Sequence, residues 1–556
     1  MENNQSAPIP HKTPCLSPSQ CTTDFLPTLT NPVDVIPNWL SLFPVVSQVA
    51  EHFLQLPQRL LLINAQFWHT AQAVIESCYE GKQPLLTLQN FDQQKLFGRI
   101  NLLGKEELTF IQGEICNLEN GVLILHISPL LVEPKLWFLL KSFLLTQEIP
   151  TNAAVNSDKL RSIIPVQSDK KINTKIVIVA NRYQLDELTQ IDPDFSQVNS
   201  LFAELSSDIP NSHENILALR EYCQQIITTN SLTCLTDAAF NVLFKHFSRL
   251  CEHQNKLLFS SQLIESTLRY AQLMHSQSVS KAPSIDALHI QQALEIQIAS
   301  KSNAQAFSDQ ALVEKQIKIQ LQGEMIGQIN GLSVVELMGY PTEFGEIFRI
   351  SASDMMGDGE IIDVERKVEL AGNIHAKSTL IVQGYLNHFF THVPNFPFSC
   401  NVVFEQSYQE SDGDSASLAM LLAVTSCYSQ TPIAQNLFVT GALDQHGNVL
   451  AIGGINQKIE SISRLFALGL LTEAVTVLMP QANKINLMLG EETLNLISNK
   501  KINIYTLQYS LEAFPLAMSH SFESILEVIN KRVLFLNKED EEEPLSIMTK
   551  CLNLLR

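Results

Sequence analysis

The sequence predicts a multidomain protein of α/β and α architecture, with an α/β domain over residues 36–205, a helical domain over 206–310 and an α+β domain over 311–530. Three observations favour this order. Short apolar strands alternate with helices in the first region, apolar residues recur at helical spacing in the second, and strand and turn patterns dominate the third. The 556 residues leave room for three or four domains of about 150 residues each.

Three short apolar segments mark the strands of the first domain, at residues 60–63, 122–125 and 176–180. Helical patterns separate them, for example at 71–79 and 135–145. Apolar strands that alternate with helices are typical of a parallel sheet whose two faces are covered by helices. We therefore expect a parallel sheet in this domain.

The second domain shows apolar residues at i, i+3 and i+4 spacing and no strand-like alternation. The clearest stretches are 238–254, 263–276 and 285–298. This domain is therefore predicted to be all-helical.

The third domain begins where the pattern changes, at about residue 311. Segments 326–331 and 357–361 are typical of strands and turns, and a helix is predicted over 376–390. An extended segment at 401–405 leads into the most informative part of the chain.

The two ends of the chain differ in composition from the rest. Residues 1–35 are rich in Ser, Thr, Pro and Asn, which predicts a flexible tail. Residues 531–556 form an acidic C-terminal segment, and the charged run at 538–544 predicts a solvated loop.

Charge and targeting signals exclude several classes of partner. Lys and Arg number 37 and Asp and Glu number 57, which gives a formal net charge of −20. Nucleic acids and anionic membranes bind clustered positive charge, so neither partner is expected. The first residues lack a signal peptide, no apolar run reaches the roughly 18 residues of a membrane span, and no C-x-x-C pair occurs. We expect a cytoplasmic protein without a metal site.

A serine stands at a predicted helix start, where residues 412–418 read DGDSASL. The helix is expected to run from Ser415 to about residue 428. The first N–H groups of a helix lack intrahelical partners and carry the positive end of its dipole, so they would stabilise a tetrahedral oxyanion beside Ser415. The alternative is that Asp414 or Ser415 only caps the helix, as Asp and Ser often do.

A lysine lies on an apolar helix face, where residues 453–460 read GGINQKIE after a predicted hairpin at 438–452. Lys458 comes three residues after Ile455 and four before Ile462. Burial removes the solvation of an ammonium and lowers its pKa, and a neutral lysine can act as a general base. The alternative is that Lys458 extends its amine to water.

Together the two segments indicate a nucleophile–base pair of Ser415 and Lys458. The residues are 458 − 415 = 43 positions apart. This separation allows a helix, a hairpin and a second helix to fold back into one site.

These segments carry a family resemblance. Residues from about 325 to 490 resemble the proteolytic domain of the Lon proteases, in particular the subgroup with a GDSAS nucleophile segment, as in archaeal-type Lon and its bacterial homologues. The matching segments, in order, are GQINGL at 327–332, GDSAS at 413–417, VTG at 439–441, GNV at 447–449, IGGINQK at 452–458, and VLMP at 477–480 followed by Asn483.

The resemblance implies roles for single residues. Ser415 would be the catalytic serine and Lys458 the catalytic lysine that accepts its proton, after which an acyl-enzyme forms and water releases it. Thr440 would lie near the lysine and orient it. His375 and Lys377 match a subgroup segment and are expected to set structure or subunit contacts. The resemblance also implies polypeptide substrates and a homo-oligomer, specifically a hexamer.

The resemblance extends upstream to the Lon AAA+ module and its helical lid, but the nucleotide motifs are absent. A phosphate-binding loop reads G-x-x-x-x-G-K-[ST], whereas residues 64–70 read NAQFWHT. His126 and Ile127 stand where an acidic pair is expected, and Asn181 with Arg182 resembles only the sensor segment. Because these motifs are absent, we expect a degenerate AAA+-like module with no cofactor. ATP and Mg are implied only by the family resemblance.

The leading interpretation is a Lon-like serine endopeptidase that cleaves unfolded, loosely folded or short polypeptides without its own ATP hydrolysis. Delivery by a separate partner ATPase is an alternative source of substrates. Two other functions stay open at this point: a non-enzymatic interaction or assembly protein that retains a Lon fold, and an ATP-dependent protease with a non-standard nucleotide site. The intact pair of Ser415 and Lys458 favours the enzyme.

Overall fold

The computed structural model describes residues 14–31, 36–103, 107–150, 171–278, 282–370, 372–390, 396–406 and 413–542. The chain forms two compact units. The described residues of the N-terminal unit fall within 24–251 and 255–294, and those of the C-terminal unit fall within 14–23, 252–254 and 295–542. Within the described ranges, no helix is both long and apolar enough to cross a membrane.

The N-terminal unit is built around a parallel sheet. Its strands are β1 Leu60–Ala65, β2 Leu85–Leu88, β3 Gly98–Leu103, β4 Glu107–Gln112, β5 Val122–His126, β6 Lys175–Ala180, β7 Ser200–Leu205, β8 Asp208–Pro210 and β9 Lys256–Leu258. The order of the five-stranded sheet is β2-β5-β6-β1-β7, and all its pairings are parallel. Pairs β3–β4 and β8–β9 are separate antiparallel ribbons.

Helices cover both faces of the sheet. They are α1 Leu26–Thr30, α2 Pro44–Gln55, α3 Trp68–Tyr79, α4 Gln93–Phe97, α5 Glu114–Asn117, α6 Ser128–Val132, α7 Pro134–Thr146, α8 Arg182–Ile191, α9 His213–Thr229, α10 Asp237–Leu250, α11 Ser261–Gln277 and α12 Ala287–Ala299. On β1, Leu61 and Ile63 pack into one apolar cluster and Leu60 and Leu62 into the opposite one. The sheet is therefore buried on both faces, as the apolar segments predicted.

The three predicted strands are confirmed as β1, β5 and β6, whereas the sequence did not reveal β7. Strand β7 lies at the edge of the sheet, so Phe202 and Glu204 are exposed and interrupt its apolar run. The prediction that 206–310 is all-helical is wrong at β8 and β9, which pair with each other. The helix predicted over 238–254 ends at Leu250.

The C-terminal unit is an α+β fold with a mixed sheet. Its strands are β10 Glu324–Met325, β11 Gln328–Val335, β12 Phe344–Met356, β13 Ile361–Asp363, β14 Phe398–Glu405, β15 Ile433–Ala434, β16 Leu437–Val439, β17 Ala442–Leu443, β18 Val449–Leu450, β19 Val475–Pro480 and β20 Ile502–Leu507. The seven-stranded sheet has the order β13-β14-β12-β11-β16-β19-β20. The predicted hairpin at 438–452 is interrupted, because β16 joins this sheet whereas β17 pairs with β18.

The helices of this unit are α13 Asn303–Val313, α14 Val364–Lys367, α15 Asn373–Phe390, α16 Ser417–Ser429, α17 Ile455–Ala467, α18 Glu491–Ser498, α19 Ala513–Met518 and α20 Phe522–Glu542. Helix α16 is buried along its whole length. On β16, Val439 packs into the apolar cluster that contains α16, and Phe438 packs into the cluster that contains α17. Because neighbouring strand residues point to opposite faces, α16 and α17 lie on opposite sides of the sheet.

The prediction of a flexible tail over 1–35 is wrong for residues 14–31; residues 1–13 and 32–35 lie outside the described residues. Leu16 donates its backbone N–H to Ile504 on β20, and Leu16 and Cys21 are buried in the C-terminal unit. Phe25 is buried in the core of the N-terminal unit. Widely spaced apolar anchors hold this polar segment, and periodicity cannot reveal them.

The acidic C-terminal segment also departs from expectation. Helix α20 runs through the proposed boundary at residue 530 and ends at Glu542, so residues 538–542 are helical rather than a loop. Ile529 and Val533 are buried, which shows that the apolar face of α20 crosses the boundary. The remainder of the charged run, 543–544, lies outside the described residues.

The close packing of α17 on β12 generates a stability prediction. A Cβ on Gly345 would lie 2.0 Å from the carbonyl oxygen of Gln457 on α17. Gly345→Ala must therefore displace backbone, and we expect the free energy of unfolding to fall by about 1–3 kcal/mol. Urea denaturation followed by circular dichroism measures this change.

Gly384→Ala is the matched control. Gly384 lies inside α15, and a Cβ there would have no heavy atom within 4 Å. Alanine should therefore raise the free energy of unfolding by up to about 1 kcal/mol through its higher helix propensity. Equal stability of the two variants would contradict the packing described here.

Candidate active site

Ser415 lies in a turn that precedes α16. The helix begins at Ser417, two residues later than predicted, and Ala416 occupies its N-cap position. Neither Asp414 nor Ser415 caps the helix with its side chain; instead the backbone carbonyl of Asp414 accepts hydrogen bonds from the Ser417 N–H at 3.0 Å and the Ser417 hydroxyl at 2.7 Å. The capping alternative is therefore wrong, and the Ser415 hydroxyl is left for another role.

The backbone of Ser415 is fixed to the end of β16. Gly441 donates its N–H to the Ser415 carbonyl at 2.7 Å, and the Thr440 hydroxyl donates to the same oxygen at 3.3 Å. In return, the Leu418 N–H donates to the Gly441 carbonyl at 3.1 Å. These bonds hold the serine at the carboxyl end of β16, an interior strand of the sheet.

Lys458 lies one turn into α17, on the face that packs against the sheet. Its side chain is 3% exposed, so it does not extend to water and the alternative of an exposed amine is wrong. Ile455, Ile459 and Ile462 on the same face are buried as well. The helix begins after Gly454, whose φ of 61° is the left-handed conformation that glycine adopts without strain.

The segment before α17 is held by Asn483. Its side-chain oxygen accepts from the Ile452 N–H at 2.8 Å, and its amide nitrogen donates to the Ile452 carbonyl at 2.8 Å. A Cβ on Gly454 would lie 2.4 Å from the Val334 side chain. The start of α17 therefore lies close against β11, and only glycine fits at position 454.

The structure brings the two predicted site residues together. Lys458 Nζ lies 2.9 Å from Ser415 Oγ and 3.4 Å from Thr440 Oγ1. Ser415 approaches from the side of the sheet that carries α16 and Lys458 from the side that carries α17, and they meet where β16 ends. The hydroxyl and the amine are therefore within the distance needed for proton transfer.

The surroundings of Lys458 lower the pKa of its amine. Burial lowers the pKa of the Lys458 ammonium to about 8, and the nearby carboxylate of Asp414 opposes this by raising it. Desolvation disfavours the charged form because water no longer solvates the ammonium. With this pKa, half of the Lys458 amines are neutral at about pH 8.

His375 and Lys377 take no part in the contacts of Lys458 with Ser415 and Thr440. His375 Nε2 lies 3.0 Å from Asp363 Oδ2, and both side chains are 2% exposed. Burial alone would raise the pKa of Asp363, but hydrogen bonds from His375 and Thr379 hold it below its usual range. His375 thus joins α15 to β13, whereas Lys377 is exposed.

Sequence reasoning missed two buried polar contacts, one at the start of α16 and one between α14 and β14. The Ser417 hydroxyl accepts from the Leu443 N–H at 2.9 Å, which joins the start of α16 to β17. Glu365 is buried, and its side chain accepts from the Phe404 N–H at 2.9 Å. Burial raises the pKa of Glu365. No local pattern marks either contact, because each partner is distant in sequence.

Side chains from α3 and β5 contact each other at the position expected for a nucleotide. The rings of Trp68 and His126 meet edge to face at 4.8 Å. His126 Nδ1 accepts from the Ser128 N–H at 3.2 Å, and Asn181 caps α8 through the Gln184 N–H. Burial lowers the pKa of His126, and the charge of His69 lowers it further.

A cavity of about 790 Å³ opens beside these residues, at the carboxyl ends of β1, β6 and β7. Its polar lining includes Asn64, Asn181, Arg182, Glu204 and Asp208, and the Asn64 amide donates to Glu204 at 3.2 Å. In this lining one guanidinium faces two carboxylates, which is a poor match for a triphosphate. Across the described residues, no group of three or more His, Cys, Asp or Glu side chains could hold a metal ion.

Comparison with known proteins gives two family matches in this chain. The model of the LonB-like AAA domain matches residues 81–206, which begins after β1 and the loop that follows it. The model of the Lon protease (S16) C-terminal proteolytic domain matches residues 309–505 and so contains Ser415, Thr440 and Lys458.

Curated relatives agree with these matches. A Lon protease homologue of Haemophilus influenzae is 31% identical over 458 residues, covering 80% of this chain and 74% of the relative. One of Escherichia coli is 29% identical over 454 residues, covering 80% and 75%. An archaeal Lon protease of Methanocaldococcus jannaschii is 42% identical over 87 residues, covering 16% and 12%.

Burial of the amine predicts a pH-dependent stability. The pKa of Lys458 is about 8 when folded and about 10.4 when unfolded. Between these values the unfolded chain binds more protons, so stability rises with pH. Relative to Lys458→Met, wild type should gain up to about 3 kcal/mol in free energy of unfolding between about pH 7 and 10.5. Denaturant titrations across this range measure it.

Lys531→Met is the control, because it removes an exposed lysine of the same charge. The control keeps the buried amine, so the pH-dependent gain expected for wild type should remain in it. A constant difference between wild type and Lys458→Met would show that the buried amine does not titrate at a lowered pKa.

Proposed function

The chain belongs to the Lon protease family, and we propose that it is a serine endopeptidase in which Ser415 is the nucleophile and Lys458 the general base. The observation that carries this proposal is the 2.9 Å contact between the Ser415 hydroxyl and an amine that is 3% exposed. A free serine hydroxyl is a weak nucleophile, and an adjacent base that accepts its proton activates it.

The reaction begins with neutral Lys458. The amine accepts the Ser415 proton while Oγ attacks the carbonyl carbon of the scissile peptide bond. The tetrahedral intermediate collapses as the Lys458 ammonium returns this proton to the leaving amine, and the acyl chain stays on Ser415 as an ester. Water then attacks the ester, Lys458 accepts the water proton and returns it to Ser415 Oγ, and the carboxylic product leaves.

The developing oxyanion needs hydrogen-bond donors near Ser415. The first two amides of α16 already have partners: Ser417 donates to Asp414, and Leu418 donates to Gly441. We therefore assign this role to the backbone of the turn at 414–416 rather than to the helix end that the sequence indicated. The positive end of the α16 dipole still lies behind this turn.

We propose that the AAA-like domain does not hydrolyse ATP. Aromatic rings of Trp68 and His126 lie where phosphate and metal ligands would be needed, and neither Gly nor Lys occurs in residues 64–70. Backbone N–H groups cannot reach a phosphate past such bulky side chains as they do past glycine.

Without powered unfolding, the substrates are unfolded, loosely folded or short polypeptides, or proteins that a separate ATPase delivers. The homo-hexamer that the family resemblance implies stays a prediction. A chamber formed in this way would restrict entry to extended chains and would favour the same substrates.

Proteolysis of fluorescent casein without nucleotide tests the dyad. Wild type should cleave casein, and its rate should rise with pH through an apparent pKa near 8, because the base must be neutral. Ser415→Ala and Lys458→Met should each lower the rate by about 10³-fold or more.

Lys531→Met is the matched control and should keep the wild-type rate, since this lysine is exposed. Cleavage that survives in Ser415→Ala would contradict the proposed nucleophile. A folded wild type that cleaves neither casein nor short peptides would instead favour the non-enzymatic assembly protein.

Titration with Mg-ATP tests the proposed loss of ATP hydrolysis. Trp68 is the first residue of α3, directly after the relevant loop, so bound nucleotide should change its fluorescence. We expect no saturable change up to millimolar Mg-ATP and no phosphate release. Micromolar binding accompanied by turnover would identify an ATP-dependent protease with a non-standard nucleotide site.

A further inference from the structure

The first helix that lies wholly in the C-terminal unit contacts the helix that carries Lys458. The chain passes from the N-terminal unit to the C-terminal unit within α12, and α13 follows after three residues. Helix α13 packs against β12 and α17, and none of the three elements is next to another in sequence. These contacts therefore join the connection between the units to the candidate active site.

Two polar contacts anchor α13. Asp309 Oδ1 lies 3.1 Å from Arg464 Nε on α17, and their side chains are only 17% and 20% exposed. One residue earlier, the Ser308 hydroxyl donates to Glu346 on β12. A mostly buried ion pair with a fixed guanidinium is better defined than a surface pair, because neighbouring groups restrict both side chains.

Apolar packing reinforces these contacts. Leu312 is one turn after Asp309 on α13 and is 9% exposed. It belongs to the same buried cluster as Ile459 and Ile462, which flank Lys458 on α17. Helix α13 thus contacts both the apolar face and the polar edge of the helix that carries the amine.

Gly345 on β12 contacts α17 at two positions. Its carbonyl accepts a hydrogen bond from the Arg464 guanidinium, and its Cα packs directly against the backbone at Gln457. Arg464 is six residues after Lys458, about 9 Å along the helix axis. Because a helix moves as a rigid rod over this distance, the position of Arg464 determines the position of the Lys458 amine.

We propose that Asp309 is a positioning residue, which through its ion pair with Arg464 fixes α17 so that Lys458 Nζ stays in contact with Ser415 Oγ. This inference rests on the proposed Ser–Lys peptidase function. It also implies that a displacement of α13, at the point where the chain enters the C-terminal unit, changes the reactivity of the site.

Loss of the ion pair has two separate consequences. A displacement of about 1 Å between reacting groups can cost on the order of 10²-fold in rate, so kcat should fall more than KM rises. A displaced amine also gains solvent, so the pKa of Lys458 should rise towards its ordinary value. A role in stability alone would alter neither quantity in protein that is still folded.

The test compares wild type with Asp309→Asn, Asp309→Glu and Asp237→Asn. Asp237 pairs with Arg220 at 2.8 Å in the N-terminal unit and is the control for loss of a partly buried ion pair. Peptide kinetics give kcat and KM. Acetylation of Lys458 by acetic anhydride, followed by mass spectrometry from about pH 6 to 11, gives its apparent pKa without requiring catalysis.

For Asp309→Asn we expect kcat to fall about five- to twentyfold, with KM within about twofold of wild type. The acetylation midpoint should rise by at least about half a pH unit. Asp309→Glu should restore most of kcat, and Asp237→Asn should match wild type in both measurements. Folded Asp309→Asn with wild-type kcat and midpoint would overturn the proposal.

Two further outcomes are decisive. If Asp309→Asn does not fold, Ser308→Ala replaces it and should lower kcat about two- to fivefold; wild-type kcat in that variant would overturn the proposal. If wild type proves inactive, the proposed peptidase fails, but the acetylation midpoint still tests the positioning role. An unchanged midpoint in Asp309→Asn would then reject the positioning role independently.

Discussion

The contact between the Lys458 amine and the Ser415 hydroxyl is the constraint on which the C-terminal unit depends. Ser415 and Lys458 come from segments on opposite faces of one sheet, so they can meet only beyond the end of a strand. They do so where the interior strand β16 ends, at Thr440. The 2.9 Å separation requires both helix starts to be fixed in place. Gly441 holds the Ser415 turn, while Asn483 and Gly454 hold the start of α17.

Burial of an amine has a cost that the rest of the unit must offset. An ammonium among Ile455, Ile459 and Ile462 loses solvation, so the charged form is disfavoured and the pKa of Lys458 falls to about 8. A structural role would be served better by an aliphatic side chain at this position. In the proposed mechanism, the same desolvation that weakens the fold supplies a base that is half neutral near pH 8.

Local pattern predicted much of this architecture, and tertiary contacts account for what it missed. Continuous apolar runs revealed the central strands β1, β5 and β6, and helical spacing placed Lys458 on a buried face. Edge strand β7 escaped because the exposed Phe202 and Glu204 interrupt its apolar run, and the ordered segment at 14–31 escaped because a few distant anchors hold it. The pairing of Ser415 with Lys458 followed from chemistry and family resemblance, whereas the Asn483 and Asp309 contacts arise only from folding. The AAA-like sheet is retained, although residues 64–70, at the end of β1 and after it, contain neither Gly nor Lys.

The most direct test of this account is the pKa of the Lys458 side chain in the resting protein. Protein labelled with ¹³C at lysine Cε allows each lysine to be titrated by NMR, and the Lys458→Met spectrum assigns the resonance. The account predicts one lysine that titrates near pH 8, well below the ordinary value of about 10.4. If the Lys458 resonance titrates together with the exposed lysines, the amine is not the general base described here.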